Sequence, residues 1–155
     1  MSEKLILMLD TNVVIDCLLE REPFCKEARL LMVLGYANEC ELWINSSQVT
    51  DLIYVLSGGG KKSLMKDALS QIRGLRQFLN VYPVGEGLVD KMLLTNWRDA
   101  EDFLIYLCAL EIKADAIITR NKDDFEEQLI NIFDCSDLFD WIKETKSIDY
   151  SLIEW

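Results

Sequence analysis

The sequence predicts an α/β domain built on a mostly parallel sheet with helices on both faces. Three observations point there. Short apolar runs of strand length alternate with longer segments of helical period along the chain, which is the pattern of parallel sheets. The first run, Leu5-Ile6-Leu7-Met8-Leu9, is apolar without alternation, as in a strand covered on both sides. The chain has 155 residues, half of them apolar, and no linker, repeat or low-complexity segment divides it. That size and composition predict one domain, 1–155, with a sizeable core.

The elements follow in order. Leu5–Leu9 is the first strand, and a helix runs from Asn12 to Leu19. Pro23 sits at the start of a second helix, where its missing N–H costs nothing. That helix carries Ala28, Leu31, Met32 and Leu34 on one face and ends near Gly35. Leu42-Trp43-Ile44 is a short strand, and Asn45-Ser46-Ser47 is an N-cap cluster opening a helix through Leu56. Gly58-Gly59-Gly60 stops that helix. Lys61–Leu79 is a long amphipathic helix, Val81–Val84 a strand and Glu86–Leu94 a helix. Asp99–Lys113 is an apolar-rich helix, Ala116–Thr119 a strand, Leu129–Phe133 a further short strand and Ser136–Lys143 the last helix. The aromatics Phe24, Trp43, Tyr54, Phe78 and Trp141 are expected in the core.

Composition then narrows the chemistry. There is no histidine, which removes histidine general bases, histidine-based triads and histidine-ligated zinc together. The cysteines Cys17, Cys25, Cys40, Cys108 and Cys135 form no CxxC pair, so reduced thiols are expected rather than a disulfide frame or zinc site. Net charge is −11, unlike the basic footprint of a general nucleic-acid binder. Acting on a polyanion would require a bound cation or a local basic patch to offset the repulsion. No apolar run is long enough to span a membrane, and Asp10 interrupts the N-terminal apolar stretch before any cleavage pattern. A cytoplasmic protein with no membrane partner is the expectation.

What remains is carboxylate chemistry. Asp10 ends the first strand, and ligands of open α/β sheets bind outside such strand ends. Asp51 lies in the first turns of the helix after the second strand. Asp99 and Asp102 open a later helix on one face, and Asn121 and Asp124 follow the strand ending at Thr119. Clustered oxygen ligands suit hard divalent cations such as Mg²⁺ or Mn²⁺. Plainer readings exist for each: Asp99 as a helix cap with Asp102 its partner, Asp51 as a solvated charge, Asn121 and Asp124 as turn residues. Asp10 is the hardest to dismiss this way, because a carboxylate directly after a buried strand is poorly placed for a solvated face. Asp16 reads as a surface or supporting charge. Gly58–Ser63 is not a phosphate loop, since Val55 and Lys62 stand where a glycine and a serine or threonine are needed. Lys61, Lys62, Lys66, Arg73 and Arg76 nevertheless give their helix a basic side that could meet a phosphate backbone.

Three segments of the chain resemble one family. Leu9-Asp10-Thr11-Asn12-Val13-Val14-Ile15-Asp16 resembles the opening motif of PIN-domain proteins. Asp99-Ala100-Glu101-Asp102, with its apolar helix, resembles their D-x-E-D helix. Ala116-Ile117-Ile118-Thr119-Arg120-Asn121-Lys122-Asp123-Asp124-Phe125 resembles their strand ending in T-R-N/D-x-x-D-F. The resemblance implies a three-layer α/β/α sandwich and a ribonuclease dependent on Mg²⁺ or Mn²⁺. For a VapC-like member it also implies a toxin neutralised by an antitoxin protein. Separately from the resemblance, the apolar helices could pair with a second copy, so a homodimer is a further expected form. Carried over by position, Asp10, Asp51 and Asp102 would be acidic metal-site members, with Asp99 and Asn121 or Asp124 completing the site. Thr11, Asn12 and Thr119 would support them. Lys61, Lys62 and Arg120 are the expected RNA contacts. Two positions depart from the pattern: Asp51 stands where glutamate is frequent, one methylene shorter, and Asn121 where some members carry aspartate. The alternatives are a non-catalytic PIN-like module acting by protein binding, and a phosphotransferase using Asp10 as phosphate acceptor. The latter would want aspartate where Asn12 stands.

Overall fold

The computed structural model describes residues 3–153; Met1, Ser2, Glu154 and Trp155 of the expected 1–155 domain lie outside them. Five strands, β1 (Leu5–Leu9), β2 (Cys40–Asn45), β3 (Leu79–Tyr82), β4 (Ala116–Ile118) and β5 (Asn131–Phe133), form one sheet. Its order is β3-β2-β1-β4-β5 and every neighbouring pair is parallel. Among the described residues the helices are α1 (Thr11–Leu18), α2 (Cys25–Tyr36), α3 (Ser46–Leu56), α4 (Lys62–Leu75), α5 (Glu86–Leu93), α6 (Ala100–Glu111) and α7 (Cys135–Lys146).

The period of two along β1 builds the three layers. Leu5, Leu7 and Leu9 point into one core with residues of α1, α2, α3, α4 and α7. Met8 points the other way, into a second core with Leu104, Ile105, Tyr106 and Cys108 of α6. Ala116 and Ile118 share the first core and Ile117 the second. A strand buried on both faces needs an uninterrupted apolar run, which is what Leu5–Leu9 supplies.

The chain order places the site. From β1 it builds outward through β2 to β3, then crosses back to lay β4 against the other edge of β1. Strand order therefore reverses between β1 and β4, and a crevice opens beyond their C-terminal ends at such a switch point. Asp10 follows β1 and Thr119 follows β4, so both lie at that crevice.

Several boundaries differ from the expectation. The long helix stops at Leu75, and the strand starts at Leu79 instead of Val81. Gly74 weakens the last turn, and Leu79, 2% exposed, pairs with Leu42 of β2; sheet pairing wins over continued helical period. Pro23 precedes its helix and lies in a turn, closed by the Cys25 amide on the Arg21 carbonyl at 2.8 Å. β5 begins only at Asn131, with Leu129 left 81% exposed. α7 is longer than expected at both ends: Asp134 and Asp137 form a reciprocal capping box at its start, and at its far end it runs on to Lys146 before Ser147 closes it in the left-handed conformation. Phe24 and Tyr54 are exposed, not core, while Trp43, Phe78 and Trp141 pack against the two cores. All five cysteines are unbridged.

Candidate active site

A cleft of about 250 Å³ at the switch point is lined by Asp10, Thr11, Asn12, Asp51, Asp99, Asp102, Asn121 and Asp124. Four separate segments of sequence thus converge. Glu101, Ser47 and Gln48 also face this cleft, and the motif reading had not assigned them a role. No lysine or arginine lines it.

Each acid is positioned by a local device. Asp10 is the last residue before α1, and its amide donates to the Ile118 carbonyl at 2.9 Å, continuing the β1–β4 pairing by one step. Its carboxylate accepts a hydrogen bond from the Thr119 hydroxyl at 2.8 Å. Thr119 is fully buried, and the same oxygen accepts the Asn121 amide at 3.0 Å. One hydroxyl therefore joins the two strand tips and aims the loop carrying Asn121. Asp124 follows in a 3-10 turn over Lys122–Asp124, with its amide on the Asn121 carbonyl at 3.0 Å.

Asp51 is fixed through Gln48. The Asn45 carboxamide accepts the Gln48 amide at 3.1 Å, and the Gln48 side chain accepts the Asn45 amide at 2.8 Å. This reciprocal cap starts α3. The remaining Gln48 nitrogen donates to the Leu9 carbonyl at 2.8 Å and the Thr11 hydroxyl at 3.1 Å. That clamp sets α3, and Asp51 one turn on, against the β1–α1 junction. A glutamine three residues after Asn45 was the available signal for it. Asp99 caps α6 through one oxygen, accepting the amides of Glu101 at 2.9 Å and Asp102 at 3.1 Å. The capping role and the place in the cleft are therefore compatible.

The electrostatics are those of crowded acids. Burial raises Asp102 to about 7, and the charges of Asp10, Asp99, Asp124 and Glu101 push in the same direction. Burial also raises Asp10, against the Thr119 hydrogen bond that lowers it, while Asp99 adds to the rise. Burial raises Asp51. Glu101 is raised by burial and then by Asp51, Asp99 and Asp10. Like charges in a partly dry cleft disfavour each other's ionisation unless a cation enters.

The donor set is carboxylate, amide and hydroxyl oxygen, without imidazole or thiolate, which matches hard divalent ions. Among the described residues no three acidic or thiol groups already converge as a closed ligand cage; the acids ring an open cleft. Mg²⁺ suits such a ring, because it keeps several waters and takes few protein ligands.

Three further residues lie elsewhere. Lys61 and Lys62 are exposed at the start of α4, outside the cleft. Arg120 lines a separate cavity of about 290 Å³, behind the strand tips. There its Nη2 donates to Asp16 at 3.1 Å, its Nε lies 2.8 Å from the other Asp16 oxygen, and its guanidinium sits 4.2 Å over the Phe24 ring. Asp16, expected as a surface or supporting charge, is only 1% exposed.

With this geometry in place, comparison with known proteins becomes informative. The family model described as PIN domain matches residues 7–123. The chain is similar to the ribonuclease VapC1 of Aquifex aeolicus (strain VF5), 29% identical over 133 residues that cover 83% of this chain and 88% of that protein. Among solved structures it is similar in fold to VapBC2 from Rickettsia felis bound to a promoter DNA fragment. The TM-score is 0.58 at 18% identity, covering 84% of this chain and 98% of that one. VapBC-1 from nontypeable Haemophilus influenzae gives the same TM-score of 0.58 at 19% identity, covering 85% of this chain and 99% of that one. Among the described residues no helix is long and apolar enough to cross a membrane.

Proposed function

This chain belongs to the PIN domain family, and we propose that within it the chain acts as a VapC-like ribonuclease, hydrolysing RNA phosphodiester bonds with Mg²⁺ or Mn²⁺. The observation that carries the reading is the cleft itself: five aspartates and a glutamate meet at the switch point with no cation among the lining residues. The similarity to a ribonuclease of Aquifex aeolicus supports the same class of reaction.

The residues divide the work. Asp10, Asp51 and Asp102 would hold the ion, with Asp99, Asn121 and Asp124 within the same cleft to hold its waters or a second ion. A bound Mg²⁺ or Mn²⁺ would lower the pKa of the attacking water and offset charge building on the phosphorus. Water adds to phosphorus as the bond to one ribose oxygen breaks. Thr119 keeps Asp10 in place by the 2.8 Å hydrogen bond, and the Gln48 clamp holds α3, which brings Asp51 to the same cleft. Positioning and charge stabilisation carry such reactions when the protein contributes no covalent step. Asp51 is one methylene shorter than the glutamate frequent at this position and would hold an ion less closely. The same reading makes an antitoxin protein the partner, in keeping with the VapBC complexes among the structural relatives.

The test is cleavage of a labelled single-stranded RNA by the purified chain with Mg²⁺, Mn²⁺ or a chelator. Cleavage should need the metal and disappear in Asp10→Asn. Equal cutting by Asp10→Asn would place the chemistry elsewhere. No cutting together with no calorimetric uptake of either ion would leave a protein-binding module.

A further inference from the structure

The cleft is acidic, yet α4, the helix that follows α3, is not. Residues 61–76 contain Lys61, Lys62, Lys66, Arg73 and Arg76 against the single acid Asp67, in a chain of net charge −11. Lys62, Lys66 and Arg73 are spaced by four and seven residues along α4, so they fall on one face. At 1.5 Å per residue this stripe runs about 16 Å. All three are exposed, and among the described residues none of the five cations makes an ion pair. Cations without an acidic partner in so acidic a chain, three of them on one face, fit a polyanion.

The chain leads from the cleft to this helix in a few residues. α3 lines the cleft with Asp51 and, one turn further, Val55. Tyr54, beside Val55, is 64% exposed. Its ring lies against the triglycine turn: a Cβ built on Gly59 would meet the Tyr54 hydroxyl at 3.7 Å. Gly58, Gly59 and Gly60 all have positive φ, which lets the chain reverse there with no side chain over that ring. The turn leads directly into Lys61 and Lys62, and α4 packs back along α3. An exposed aromatic followed by a cationic groove or stripe is the combination that holds single-stranded nucleic acid, bases on the ring and phosphates on the cations.

We propose that Tyr54 and the Lys62–Lys66–Arg73 face of α4 form a track that holds single-stranded RNA leading away from the cleft. This rests on the ribonuclease reading above, and it answers how an acidic chain would retain an RNA strand once one phosphate is engaged at the cleft.

The experiment uses the full chain carrying Asp10→Asn, so that RNA is bound but not cut. Affinity for a fluorescent single-stranded oligoribonucleotide is measured in Mg²⁺ across a series of KCl concentrations. Replacing Lys62, Lys66 and Arg73 together by alanine should flatten the log–log salt slope by about 2, since each single-strand phosphate contact contributes about 0.7. Tyr54→Ala should weaken binding about fivefold or more with an unchanged slope, and Tyr54→Phe should retain it. Circular dichroism melts of the same variants exclude loss of fold. An unchanged slope in the triple variant overturns the track. So does an unchanged RNA slope with lost binding to phosphatidylserine vesicles, which would assign the stripe to an anionic membrane surface. If the wild-type chain cuts no RNA but the slope still depends on these residues, the track stands and the nuclease reading falls.

Discussion

Asp10 and Asp16 leave the same short stretch of chain and meet opposite environments. Asp16 is 1% exposed and held by Arg120 at two points. Asp10 is 6% exposed and has a hydroxyl, not a cation, in contact. Burial raises both pKa values; at Asp16 the charges of Arg120 and then Arg21 oppose it, whereas at Asp10 hydrogen bonds to Thr119 and the Thr11 backbone oppose it, Asp99 adds to it, and the more distant Arg120 is the smallest of the effects. The fold therefore had a guanidinium available at the tip of β4 and placed it behind the sheet, away from the cleft. A carboxylate neutralised by its own protein is a structural element. On the proposed reading, one ringed by other acids and in contact with no cation is a group that would bind a metal ion.

Exchanging the two charges in turn gives the largest separation. Asp10→Asn should lower metal-dependent RNA cleavage about a thousandfold, with a thermal midpoint in chelator equal to or above wild type. Asp16→Asn should do the reverse to stability, lowering that midpoint. Paired melts and single-turnover assays check both, and a destabilised Asp10→Asn would break the contrast.

Removing the cation tests the paired side alone. Arg120→Ala leaves Asp16 buried without a partner, and breaking such pairs costs about 3 kcal/mol, the lower end because the arginine side chain is 28% exposed. For a chain of this size that is a midpoint loss of about 9 °C. The double variant with Asp16→Asn should recover part of it, since the unpaired charge is gone. Thermal melts of the cycle measure the coupling directly.

How much of this contrast was legible in the sequence depended on range. Asp10 could be read because a five-residue apolar run ends in it, a local signal. Asp99 and Asp102 could be read because their spacing fixes a helical face. Asp16 could not, because its partner Arg120 lies 104 residues away and helical spacing alone leaves Asp16 looking solvated. Gln48 was missed although its capping partner is three residues away, because its second role, gripping Leu9 and Thr11, spans two elements. Tyr54 and Phe24 turned outward because the faces of α3 and of the turn before α2 are set by tertiary packing. The end of α4 at Leu75 likewise depended on pairing between Leu79 and Leu42.

The unpaired side carries its own pH signature. Asp102 rises from 3.8 to about 7 in the folded, metal-free chain, so that state binds more protons than the unfolded one. Metal-free stability should then fall as pH rises through that window and level off above it. The full shift corresponds to about 4 kcal/mol, which the open side of the cleft reduces to about 2 kcal/mol. Asp102→Asn should remove its share of this slope, leaving that of Asp10, Asp51 and Glu101, which burial also raises, and raise stability near pH 8 by about that amount. Mg²⁺ should stabilise the wild type more at pH 8 than at pH 6, because the acids must lose protons to bind it. Urea titrations at a series of pH values, with and without the ion, give both quantities.

The smallest effect separates a cap from a ligand at a single position. Asp99 accepts two amides at the start of α6 while facing the cleft. Asparagine caps as well as aspartate, so Asp99→Asn should leave chelator-state stability within about 0.5 kcal/mol of wild type. Alanine loses the cap, a cost of about 1 kcal/mol, partly offset because Asp99 no longer repels Asp10 and Asp102, both of which it raises. Stability alone thus ranks asparagine above alanine, whereas a role in holding a cation makes the two equivalent for Mg²⁺ affinity, since both lose the charge. Calorimetric titration of both variants decides it. Equal, weakened affinities place Asp99 on the unpaired side of the contrast, with Asp10. Wild-type affinity in Asp99→Asn makes its carboxylate a helix cap alone, and moves it to the side of Asp16.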